Sequence, residues 1–134
     1  MKNIFTLLLI MFSMQLFSQT TARVTISVKA SVEDVLGACK YAGKKNKFGS
    51  RDYNLEEGTL TLWKEHAVLD AFETRKYFQL AYISAQHDNG ITTFTIRINK
   101  EPGLILNQKK RVKKIVRKLK LKDMKIGEYF YDVE

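Results

Sequence analysis

Thr74–His87 (TRKYFQLAYISAQH), Asp88-Asn89-Gly90 and Ile91–Lys100 (ITTFTIRINK) together decide the fold. Asn-Gly is the pair best suited to a two-residue hairpin loop, because both positions must take positive φ. A loop of that length pairs Asp88 with Ile91, Ala85 with Phe94, Ile83 with Ile96 and Ala81 with Ile98. The opposite face then carries Gln86/Thr93, Ser84/Thr95, Tyr82/Arg97 and Leu80/Asn99. One face is apolar and the other polar with a few large side chains. This is the pattern of antiparallel strands with one side on a core.

Working toward the N-terminus, Phe48–Leu55 and Thr59–Ala67 read as two strands about a Glu56-Glu57-Gly58 turn. Ala22–Ala30 alternates Ala22, Val24, Ile26, Val28 and Ala30 against Arg23, Thr25, Ser27 and Lys29, a half-buried strand. Ser31 is a good N-cap with Asp34 three residues on, and Val32, Val35, Leu36 and Cys39 recur at helical spacing. Gly43 is expected to end this helix near Lys44-Lys45. Toward the C-terminus, Pro102-Gly103 breaks the hairpin's second strand. A last helix is expected over 107–120, capped by Asn107, with Val112, Ile115, Val116 and Leu119 as its buried stripe. Met124–Val133 reads as a short strand or a packed tail.

The expected order is β-α-β-β-β-β-α: an α+β, two-layer domain over residues 21–134. A mostly antiparallel five-stranded sheet carries two helices on one face. The order resembles one repeat of the TATA-binding-protein-like fold. It is also similar to a group of exported bacterial domains given that fold, which share a leader, this order and a Glu/Asp-x-Gly turn between the middle strands. Here that turn is Glu56-Glu57-Gly58, and the resemblance spans Val24–Leu119. It implies a fold and no activity. A second resemblance is to helix-grip lipid-binding proteins, which imply a small apolar-ligand carrier. Those carry a further helix after the first strand and a longer sheet, and this chain departs from both.

Residues 1–20 read as an export signal. Lys2 precedes an apolar run, Ile4–Phe17, and small or polar residues follow from Ser18 to Ala22, where cleavage is expected. The run is short of the roughly 20 residues a spanning helix needs. The expected location is therefore the periplasm or the cell exterior. Leu36-Gly37-Ala38-Cys39 imitates a lipoprotein signal but stands well apart from the apolar run.

The chain has 134 residues and a net charge of +9, with one Cys and two His. A single Cys excludes an internal disulfide, and three Cys and His residues make a Cys/His metal module a poor expectation. His66 and His87 are expected at opposite ends of a hairpin, and Cys39 on a buried helix face. Glu56/Glu57 fall in a turn and Asp70/Glu73 in a connection, without fixed geometry for acid–base work. No phosphate loop or nucleophile elbow is present. No enzyme, cofactor or metal is expected.

The charge has a location. Nine of the 23 Lys and Arg residues fall in positions 109–122, and no acid lies between Glu101 and Asp123. Lys110, Lys114 and Arg117 point away from the apolar stripe, flanked by Lys109, Lys113, Lys118 and Lys120. Like charges at i,i+4 repel, and positive charge in the first turn opposes the helix dipole. Such a face gains from meeting an anionic membrane surface, a polyanion or an acidic protein. Export disfavours nucleic acid. Acids in the tail (Asp123, Glu128, Asp132 and Glu134) are the competing neutralisers. On the uncovered sheet face, Trp63, Tyr82 and Arg97 are candidate contact residues, with Arg97 placed to stack on Tyr82. That face is expected to be covered by the tail through Tyr129, Phe130 and Tyr131, or by a second copy in a homo-oligomer.

Overall fold

The computed structural model describes residues 20–99 and 108–133. Its elements are β1 (Thr20–Val28), α1 (Val32–Lys45), β2 (Gly49–Asn54), β3 (Thr59–Asp70), β4 (Glu73–Asp88), β5 (Ile91–Asn99), α2 (Gln108–Arg117) and β6 (Lys125–Val133). The leader up to residue 19, the Pro102-Gly103 break and the Asn107 cap lie outside the described residues.

All strand pairs are antiparallel, in the order β2-β3-β4-β5-β1-β6. The β4–β5 register is the one the Asn-Gly loop requires, with Ala85 opposite Phe94 and Ala81 opposite Ile98. Asn89 and Gly90 both take positive φ, at 51° and 79°.

The sheet has six strands rather than the expected five, because the tail becomes β6. Its physical reason is the position of β1. That strand enters the sheet beside β5, and without a further neighbour its outer N–H and C=O groups would form an open edge. β6 takes that edge, placing Val24 opposite Tyr129 and Arg23 opposite Phe130. The tail therefore extends the sheet and does not fold over its open face. Tyr129 turns to the core side and Phe130 to the other.

One face of the sheet and both helices share the core. Val24, Ile26, Leu62, Ile96, Leu36 and Ile115 are all fully buried in it. Truncating any of the Leu or Ile residues among these to Ala removes about 2–5 kcal/mol of stability.

α1 starts as its sequence suggests: the Ser31 side chain accepts from the Asp34 N–H at 3.1 Å. It does not end at Gly43. That residue is buried inside the helix because a Cβ there would come within 2.8 Å of Leu62, so glycine serves packing. The helix ends at Lys45, within the expected Lys44-Lys45, but a different residue closes it. Lys47 N–H donates to the Lys44 carbonyl (3.0 Å), and Phe48 N–H reaches back to the Gly43 carbonyl (2.8 Å). This is a Schellman closure, with Lys47 at φ 65° in the left-handed position usually given to glycine.

α2 is shorter than expected, ending at Arg117. Lys118 and Leu119 donate to the carbonyls three residues back, both at 3.1 Å, a tighter closing turn. Val112, Ile115, Val116 and Leu119 are nonetheless all buried.

β3 and β4 outrun their neighbours. β2 reaches β3 only as far as Trp63, and β5 reaches β4 as far as Ala81. Beyond that, Lys64/Gln79 through Asp70/Glu73 pair as a two-stranded arm. Asp70 and Glu73, expected in a connection, are its last pair. Ala71 and Phe72 turn its tip, where Phe72 is 101% and Leu69 79% exposed.

Candidate anion-binding surface

α2 carries four apolar or amide residues inward and its cations outward. Gln108, Val112, Ile115 and Val116 are buried; Lys110, Lys114 and Arg117 are exposed, as the helical spacing requires. Lys109, Lys110, Lys113, Lys114 and Arg117 line one shallow cleft of about 290 Å³. No acid occurs in the helix. Lys113 leans toward β6, its Nζ 5.2 Å from the centre of the Tyr129 ring.

The expected stripe is not continuous. Lys118 and Lys120 fall after the helix, and Lys120 turns to α1 instead. Its Nζ lies 5.0 Å from the Tyr41 ring centre, with Lys45 at 5.4 Å. The hydrogen bond from Lys120, aided by the charges of both lysines, holds the Tyr41 phenol below its usual range. Asp123 lies in the turn before β6 and Glu128 is exposed on that strand. Two ion pairs among the described residues, Arg51–Asp52 and Lys76–Glu65, lie away from α2.

Three cations that sequence reasoning left out of the site come together with Lys114. Asn46, which caps α1, donates through Nδ2 to the Lys114 carbonyl at 3.2 Å and ties the two helices. That brings Lys47 beside α2. Lys64 continues the inward parity of Leu60 and Leu62 along β3, so it points under the helices and not to the open face. Its Nζ lies 5.6 Å from the Phe48 ring centre. Burial lowers the Lys64 amine below its usual range, and the charges of Arg111, Lys47 and Lys114 lower it further. Next along β3, His66 Nε2 lies 3.3 Å from Oε1 of the buried Gln79. Burial pushes that imidazole down, as do Arg111 and Lys64, against the opposing effect of the Gln79 bond. The inward parity of Lys64 was a readable signal. The approach of Lys47 was not, because it depends on where α1 ends.

The opposite face of the sheet holds the other candidates. Tyr82, Arg97, Arg23 and Phe130 form one cross-strand row over β4, β5, β1 and β6. Arg97 sits 5.3 Å from the Tyr82 ring centre, and Arg23 5.3 Å from that of Phe130. Trp63 lies one row away and packs against Phe78, with ring centres 6.0 Å apart. Hydroxyl pairs Thr25–Thr95 and Ser27–Thr93, each at 3.2 Å, continue the face. The sheet therefore separates Trp63, Tyr82 and Arg97 from the lysines of α2.

The remaining reactive groups are scattered. His66 faces Tyr77, ten positions along β4 from His87. The His87 Nδ1 contacts the Thr92 hydroxyl (2.8 Å), which itself donates to the Ala30 carbonyl. Cys39 is fully buried, and burial pushes its thiol up to about 12. Among the described residues, no cluster of three His, Cys, Asp or Glu could hold a metal, and no helix is long and apolar enough to cross a membrane.

No family model matches the chain, and no curated protein does. Among solved structures it is similar to a DUF4468 family protein from Bacteroides ovatus ATCC 8483. The identity is 13% and the TM-score 0.34, over 55% of this chain and 51% of that one. The chain thus spans about half the length of that neighbour.

Proposed function

We propose that this chain is an exported, non-enzymatic binding domain of the cell envelope, and that it contacts an anionic surface through the outer face of α2. The observation that carries the reading is the set of exposed Lys110, Lys114 and Arg117 on a helix without a single acid. An anionic phospholipid surface is the leading partner. In this reading the chain is made with a cleaved leader and works outside the cytoplasm. The resemblance to exported domains with a TATA-binding-protein-like fold supports location and architecture only.

The test is sedimentation with anionic vesicles at several salt concentrations. Each basic residue near such a surface contributes about 1 kcal/mol. Replacing Lys110, Lys114 and Arg117 by Gln should therefore weaken binding by roughly 100-fold at low salt. Equal binding by the folded triple variant would remove the reading. Binding to an acidic polysaccharide and not to vesicles would move the partner and keep the surface.

The carrier alternative is less well supported. The space between sheet and helices is filled by Val24, Ile26, Leu36, Ile96 and Ile115, all fully buried. The open sheet face supports a second contact, a homo-oligomer through the Tyr82–Arg97–Arg23–Phe130 row. Arg97→Ala together with Phe130→Ala should then lower the sedimentation coefficient at micromolar protein concentration. A monomer for both proteins would exclude it.

A further inference from the structure

We propose that Lys47, Lys64, Arg111 and Lys114 form a discrete site for a phosphate group at the corner where the end of α1, the inner side of β3 and the first turns of α2 meet. The inference rests on the basic-surface reading only for the sign of the partner. Its residues are mostly different.

The argument is that these cations stand where isolated chain physics disfavours them. Lys47 holds the left-handed position of the Schellman closure, at φ 65°. A non-glycine residue there costs roughly 1 kcal/mol relative to glycine. Lysine near a helix C-terminus is favourable to the dipole. That accounts for a cation near the end of α1, but glycine at this one position with lysine beside it would serve as well. Arg111 sits in the first turns of α2, at the end where the dipole repels positive charge. Lys64 is half-buried under the helices, its amine partly desolvated. Among the described residues, every charge acting on its amine is positive.

The corner is also held in place. Asn46 bridges the helices through the Lys114 carbonyl, and the Phe48 ring supports the Lys64 stem. The buried Gln79 fixes His66 at the floor. Four cations from three elements therefore converge on one corner. A tetrahedral oxyanion answers that arrangement: a guanidinium fork and three ammonium groups can share its oxygens. Either a free phosphate or a lipid headgroup supplies the chemistry.

Two-dimensional NMR titration of the protein with inorganic phosphate tests the site, and vesicles of phosphatidylglycerol separate the two sources. The expected result is saturable shifts at Lys47, Lys64 and His66, in about the millimolar range. Lys64→Gln and Arg111→Gln should each weaken binding about tenfold, whereas Lys40→Gln, on the exposed face of α1, should leave it unchanged. Saturation only by vesicles, with the same variants impaired, identifies the headgroup as the source. Lys47→Gly guards against misfolding as the explanation, since it should keep or raise the melting temperature while weakening phosphate binding. No saturable shift with either probe overturns the site. So do shifts centred on Lys110 and Arg117 that Lys64→Gln leaves intact, although that outcome keeps the basic-surface reading. Phosphate binding at the corner without vesicle binding by the wild type would sink the surface reading and keep the site.

Discussion

Cys39 shows how much one side chain's surroundings decide. Its thiol is fully buried on α1, and burial alone lifts it to about 12. The thiolate is the reactive form. A thiol reagent at pH 8 is therefore expected to label the unfolded protein rapidly and the native protein only at its opening rate. Fast labelling of the native protein would contradict the packing of α1. His66 gives a residue-level pH dependence. Its imidazole is pushed below the ordinary 6.5, first by burial. As pH falls past 6.5 the unfolded chain takes up the proton before the folded one, so stability present above that value declines toward the lower folded value. Melting temperatures between pH 7.5 and 5.5 should fall more steeply in the wild type than in His66→Gln. Equal slopes would show an unperturbed ring. Gly58 is a third case. It takes φ 70° in the turn before β3, and a Cβ there would run into the backbone carbonyl of Ala85. Gly58→Ala is expected to destabilise by roughly 1–3 kcal/mol, measured by urea unfolding.

At the scale of elements, the legible parts were those with local causes. The Asn89-Gly90 loop set the β4–β5 register because loop length and side-chain alternation agree. Ser31 set the start of α1 through one hydrogen bond, and Ser31→Ala should cost about 1 kcal/mol. Where a boundary depends on a distant element, local signals fell short. Gly43 looks like a stop signal but is small to admit Leu62. The tail read either as a short strand or as a cover for the open face; it is a strand, because β1 needed a partner on its outer side. The arm of β3 and β4 is a further consequence of unequal strand lengths. Seven cross-strand pairs project over roughly 24 Å without a third strand. Two-stranded ribbons are marginal alone. Hydrogen exchange should therefore be much faster at Ala67 and Arg75 than at Leu62 and Ile83. Comparable protection would mean that the arm is covered in solution.

For the whole molecule, the sheet divides two surfaces of different chemistry. Cations of α2 and the end of α1 lie on one side, and the arginine–aromatic row on the other. The sequence revealed the first surface because its charges are contiguous. It revealed Lys110, Lys114 and Arg117 by helical spacing alone. It did not reveal the corner, whose residues are 17 or more positions apart except within α2. The placement of β1 has a consequence in time. This first strand lies between β5 and β6, pairing Ala22 with Ile98 and with Tyr131. Neighbouring strands from β2 to β5 can close as a meander from local contacts, but β1 must wait for the chain's last residues. Pairings this far apart in sequence slow folding. A chain emerging N-terminus first would so keep its opening strand half-paired until Lys125–Val133 have been made.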